Sequence, residues 1–257
     1  MSRARFESDV PTGIRSRRSR ARAIERTPEQ LATRQGIAVG VATAAYGVSF
    51  GALAVAAGLD VWQACVLSLV MFTGGSQFAL VGILASGGAA AGGTAIASAA
   101  LLGVRNAAYG MRMKPVVAAS GWWKNAAAAW LTIDEPTAVA LAQNEPAARR
   151  RGFWVTGIVV YIGWNLTTLL GALIGDLLGD TRAYGLDAAA AAAFLGLIWP
   201  RLRSHQTIAV ACAAAVAAAA LTPVVAPGVP VLAAALVAVI VGTTNWLGRR
   251  TDAEVAQ

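Results

Sequence analysis

Three groups of polar residues interrupt otherwise apolar stretches of this chain: Gly74-Gly75-Ser76-Gln77, Arg105-Asn106 and Asp134-Glu135. Two adjacent glycines favour a break in a helix, and Ser76 and Gln77 place side-chain donors and acceptors beside it. A helix that restarts after such a break offers free backbone N–H groups and the positive end of its dipole, a natural seat for a carboxylate. Arg105 would add a second positive group there, whereas Asp134 or Glu135 would hold an ammonium or carry a coupling proton. Taken together, the three groups have the chemistry of a substrate site for a zwitterion such as an amino acid. A purely structural alternative stays open: an Arg105 to Asp134 salt bridge that only locks helices together. Pairing of either kind is expected, because a charge at mid-membrane costs roughly 2.5 to 3.5 kcal/mol even on lenient insertion scales.

Composition places these groups in a membrane. Of the 257 residues, 57% are hydrophobic and only 13% charged, against roughly 45 to 50% and about 25% in soluble domains. Lipid offers no hydrogen-bond partner, so a backbone break survives only when packed inside protein or lining a cavity. The expected fold is therefore all-α, a polytopic membrane helix bundle of about eight segments with a broken or re-entrant helix near Gly74-Gly75. The segments read as Gly36 to Gly58, Val61 to Ser86, Thr94 to about Gly110, Trp122 to Gln143, Phe153 to Gly175, a short Ala188 to Pro200, Thr207 to Leu221 and Val231 to Gly248. Arg112, Lys114 and Pro115 are expected to close the third. Spacings such as Gly36 with Gly40, Gly47 with Gly51 and Gly171 with Gly175 allow another helix to approach closely.

The net charge of +8 is unevenly spread, with Arg3, Arg5, Arg15, Arg17, Arg18, Arg20, Arg22, Arg26 and Arg34 all ahead of the first span. A polar, Arg-rich segment in that place is what the positive-inside bias puts in the cytoplasm, and it calls for no nucleic acid. The chain divides into a cytoplasmic N-terminal tail, residues 1–35, a permease domain, residues 36–250, and a short cytoplasmic C-terminal tail, residues 251–257. The first long apolar run begins near Gly36 and is long enough to span, which argues against a cleaved signal peptide. Arg149-Arg150-Arg151, Arg201 with Arg203, and Arg249-Arg250 fall on the same side under alternate counting; Arg112 and Lys114 do not, which leaves a re-entrant reading open for that region. Gly51-Ala52-Leu53 and Gly171-Ala172-Leu173 form a weak internal echo that would relate the two halves as a parallel repeat.

Other chemistries find little support. Gly-Lys occurs nowhere, so no phosphate-binding loop of that type exists. Ser76 has no membrane histidine to activate it, since His205 reads as a solvated loop residue. Cys65 and Cys212 sit in apolar runs as small hydrophobes, with neither a disulfide framework nor metal spacing, and no cofactor is expected. Trp122, Trp123, Trp154, Trp199 and Trp246 fall near span ends, where aromatic belts anchor helices to the interface. A channel or general small-solute carrier, and a non-transporting membrane scaffold, are the alternatives to a permease.

An ordered series of motifs resembles the AzlC family, the larger subunit of bacterial branched-chain amino-acid exporters. It comprises Tyr46-Gly47-Val48-Ser49-Phe50-Gly51, Gly58-Leu59 followed by Trp62, the run from Ser68 to Gln77, Arg105-Asn106-Ala107-Ala108-Tyr109, Leu131-Thr132-Ile133-Asp134-Glu135, and Gly185-Leu186-Asp187 leading to Phe194. The resemblance covers about residues 36 to 250. It implies a multi-pass permease of the bacterial cell membrane that works with a small hydrophobic AzlD-type subunit. Its substrates would be leucine, isoleucine, valine or analogues, moved outward and driven by an ion gradient.

Overall fold

The computed structural model describes residues 26–117, 120–179, 195–196, 198–199 and 202–244. Within them the chain is helical, with no strand. Two long helices form the spine: α1, Pro28–Ala56, and α7, Pro146–Leu178. Thr27 starts α1 with a reciprocal cap, its hydroxyl accepting from the Gln30 N–H at 3.3 Å while its own N–H donates to Gln30 Oε1 at 3.1 Å. Pro28 occupies the first helical position, where its missing donor costs nothing.

The two spine helices pack in parallel through their small residues. Moving up α1, Gly36 faces Thr156, Gly40 faces Val159, Gly47 faces Trp164 and Thr167, and Gly51 faces Thr168 and Ala172. A Cβ at Gly36 would lie 2.7 Å from Thr156 Oγ1, and one at Gly51 would overlap the Thr168 carbonyl oxygen. From the other side Gly171 rests on the Val48 carbonyl and Gly175 on Ala52. The echoing triplets of the sequence thus stand side by side. Close approach also lets Thr167 Oγ1 donate to the Ala44 carbonyl oxygen at 2.6 Å, a link that binds one helix to the other's backbone.

Between the spine helices the described residues form a series of shorter helices. Asp60 caps α2, Val61–Val70, its carboxylate accepting from the Gln63 N–H at 2.7 Å. After Met71–Gly74 the helix resumes as α3, Gly75–Gly87. A single 3-10 turn, Gly88–Ala91, leads to α4, Gly92–Val117. The apolar stretch Gly75–Val117 is long enough to cross a membrane, as are α1 and α7. It folds back on itself at the 3-10 turn, however, so that Gly75 lies beside Arg105 and Gly103 beside Ser76. Next come α5, Trp122–Trp130, and α6, Asp134–Leu141, separated by Leu131–Ile133. Val139 of α6 packs on Gly152 of α7. A final hairpin, α8, His205–Leu221, and α9, Val229–Thr244, touches the α3–α4 turn through Pro227 and Gly228.

Several expected boundaries move. Residues 28–35, assigned to the tail, belong to α1. The third segment does not close at Arg112, Lys114 and Pro115: a proline mid-helix forfeits one bond, but α4 continues to Val117. The fourth segment is not one helix but two. Arg149, Arg150 and Arg151 lie in the first turns of α7, ahead of the expected start at Phe153, because Pro146 starts that helix early. The fifth segment runs past Gly175 to Leu178. His205 is the exposed first residue of α8, behind a Ser204–Thr207 cap. The segment Ala188 to Pro200, the motif Gly185-Leu186-Asp187 with Phe194, Trp246, and the two tails up to residue 25 and from residue 251 lie wholly or mostly outside the described residues.

Candidate functional site

The interruption between α2 and α3 is set by backbone geometry. Gly74 has φ +60°, a region side chains rarely adopt, although a Cβ there would meet open space. Conformation, not crowding, demands the glycine. Its N–H is met by Gln77 Oε1 at 3.1 Å, so the Gln77 side chain reaches back to tie the break together. The next N–H groups, on Gly75, Ser76 and Gln77, start a helix and have no preceding turn to bond to.

The second interruption follows the same logic with opposite chemistry. Thr132 Oγ1 bonds back to the Ala128 carbonyl at 2.6 Å, and α6 begins at Asp134 with Asp134 and Glu135 in its first turn and Pro136 behind them. Acids in a first turn complement the helix dipole. One restarted helix therefore presents bare N–H groups, and the other presents carboxylates.

Arg105, near the middle of α4, joins the two. Its Nη2 lies 3.0 Å from Asp134 Oδ2 and donates to the Thr73 carbonyl oxygen at 3.4 Å. A Cβ at Gly75 would come within 3.2 Å of the same nitrogen, so glycine there makes room for the guanidinium. The side chains of Arg105 and Asp134 are 27% and 25% exposed, which marks the pair as bordering open space rather than sealed in a core. Asp134 Oδ1 has no partner among the described residues.

A cavity of about 120 Å³ opens beside this pair, lined by Thr73, Gly74, Gly75, Asp134 and Glu135 at its polar end. Phe72, Phe78, Ile133 and Val160 form apolar walls, and Thr43, Tyr46 and Trp164 complete it from the spine helices. The three sequence-flagged groups do converge, but unequally. Gly74, Gly75, Asp134 and Glu135 border the cavity, and Arg105, itself not among the lining, links Thr73 to Asp134 beside it. Ser76 and Gln77 are fully buried behind it, Ser76 towards Gly103. Asn106 is not among the cavity's lining, and its Oδ1 is buried without a partner among the described residues.

Sequence reasoning missed the contribution of α1 and α7. A signal was present: Trp164 stands in the middle of an apolar span, where no interfacial anchor is needed. Its ring stacks on Phe50 at 6.1 Å and meets Phe78 edge-on at 6.1 Å. Among the described residues no cluster of three or more potential ligands could hold a metal.

Comparison with known proteins agrees with the motif series. The family model described as AzlC protein matches residues 38–178, a stretch that contains the whole cavity lining. No curated protein and no solved structure matches the chain.

Proposed function

The chain belongs to the AzlC family, and from that premise we propose that it is the larger subunit of a membrane permease that exports branched-chain or related amino acids. Its long apolar helices and its family mark it as a membrane-embedded protein of transport type. The observation that carries the finer reading is the pairing of two interrupted helices around one cavity. The α3 start supplies N–H groups and a positive dipole end for the substrate carboxylate, and Arg105 adds its charge. Asp134, through its unpartnered Oδ1, and Glu135 receive the ammonium. Phe72, Phe78, Ile133 and Val160 surround an aliphatic side chain.

In this arrangement Arg105 occupies part of the ammonium site while no substrate is bound. An incoming zwitterion offers Asp134 a new cation and Arg105 a new anion, so neither charge is left unpaired. The N-terminus lies in the cytoplasm, with Arg34 and Arg149 to Arg151 at the same end of the bundle. A small AzlD-type subunit covers part of the apolar flank, and an ion gradient drives export. Export of leucine or valine should rise when the chain and its small partner are overexpressed in cells lacking both. Equal efflux with and without them would sink this reading.

A further inference from the structure

We infer that Trp164 is a substrate-binding residue whose indole N–H donates to the carboxylate of the amino acid. Trp164 is 4% exposed and lines the cavity, yet its Nε1 is closed off from solvent with no hydrogen-bond partner among the described residues. Leaving a buried donor unmet is costly, so such a group calls for an explanation. An indole nitrogen is donor only, and the partner it lacks must be an acceptor. That excludes the ammonium and the cavity's aliphatic walls.

Of the two charged groups of an amino-acid zwitterion only the carboxylate is an acceptor. Trp164 packs edge-on against Phe78 at 6.1 Å, and Phe78 is the fourth residue of α3, one turn from the bare N–H groups at Gly75 and Ser76. The indole thus packs against α3, the helix whose start supplies the bare N–H groups. Phe50 and Phe78 hold the ring on two sides. Trp164 also sits on α7, the helix locked to α1, so substrate would bridge the rigid spine and the interrupted helices.

The inference rests on the proposed amino-acid export, and the test separates the two. The full chain with its small partner is reconstituted in liposomes, and uptake of leucine and of leucinol, which lacks the carboxylate, is measured. No leucine transport by the unaltered complex would overturn the export reading itself. Given transport, Trp164→Phe keeps an aromatic ring but loses the N–H together with part of the indole, and leucinol reports whatever the lost packing alone costs. The KM for leucine should rise roughly 10- to 100-fold, as for a lost bond to a charged group, with the leucinol KM unchanged. An unchanged leucine KM, or equal losses for both compounds, would overturn the inference. A second measurement needs no variant: with isotope-labelled indole nitrogens, leucine should shift one slowly exchanging N–H signal downfield and leucinol should not. Absence of any such shift would also overturn it.

Discussion

At the scale of single residues, the site is a balance of unmet groups. Asp134 pairs with Arg105 through one oxygen and leaves the other, buried, without a partner among the described residues, and this second oxygen is what a lock between helices would not need. Asp134→Asn should abolish efflux while the amount of protein in the membrane is kept. Less folded protein with unchanged transport per molecule would favour the salt-bridge lock instead. Gly75→Ala tests the same corner from the backbone side. Its Cβ would press on the end of the flexible Arg105 side chain at 3.2 Å, which can yield by a few tenths of an ångström. The expected outcome is a several-fold rise in substrate KM with little change in unfolding midpoint. Gln77 has a different role from the one its polarity suggested. Its Oε1 caps Gly74, so Gln77→Ala should destabilise the break by about 1 kcal/mol or more, read in detergent unfolding.

Helix starts and helix contacts govern the scale of elements. The sequence Thr27-Pro28-Glu29-Gln30 is a complete N-terminal signature, with cap, proline, first-turn acid and reciprocal side chain. It was legible as such, but the density of arginines around it read as tail. Asp134-Glu135-Pro136 is a comparable start signal inside an apolar run, and the run's length concealed it. Hydropathy over some twenty residues describes a span and is blind to a three-residue interruption. The glycine spacings were plainer, because small residues four apart have few other uses in lipid. Gly171→Ala places a methyl group on the Val48 carbonyl, where backbone cannot move aside. It should cost about 1 to 3 kcal/mol or more through overpacking, seen as a lowered unfolding midpoint. The same substitution at Gly92, which faces open space, should be nearly silent.

For the whole molecule, the parallel pairing of α1 and α7 is the organising fact. Residues on the two helices meet at a constant offset, Gly36 with Thr156 and Gly51 with Thr168 to Ala172, and Arg151 Nε donates to Thr33 Oγ1 at 3.1 Å at their shared start. That end collects Arg34 and Arg149 to Arg151; Arg112, Lys114 and Lys124 gather where α4 gives way to α5. If the first end is cytoplasmic, a cysteine introduced at Arg150 should resist an impermeant thiol reagent added to intact cells. One at Lys124 should react. The reverse pattern would invert the proposed orientation.

The sequence by itself determined the solvent and the helical class. Uncharged apolar runs of about twenty residues or more read as membrane helices, and polar groups stranded within them are expected to be paired or to line a path. Motif order was enough to indicate the family. Only the tertiary structure decided which of the flagged groups meet. Whether Arg105 reaches Asp134 depends on how tightly the α3–α4 hairpin turns, and the split of α5 from α6 decides where those acids begin a helix. That Ser76 and Gln77 turn away from the cavity while Trp164 turns towards it is a matter of rotation about helix axes. Rotation is set by packing against neighbours far away in sequence, and a uniformly apolar helix carries almost no polar face from which to read it.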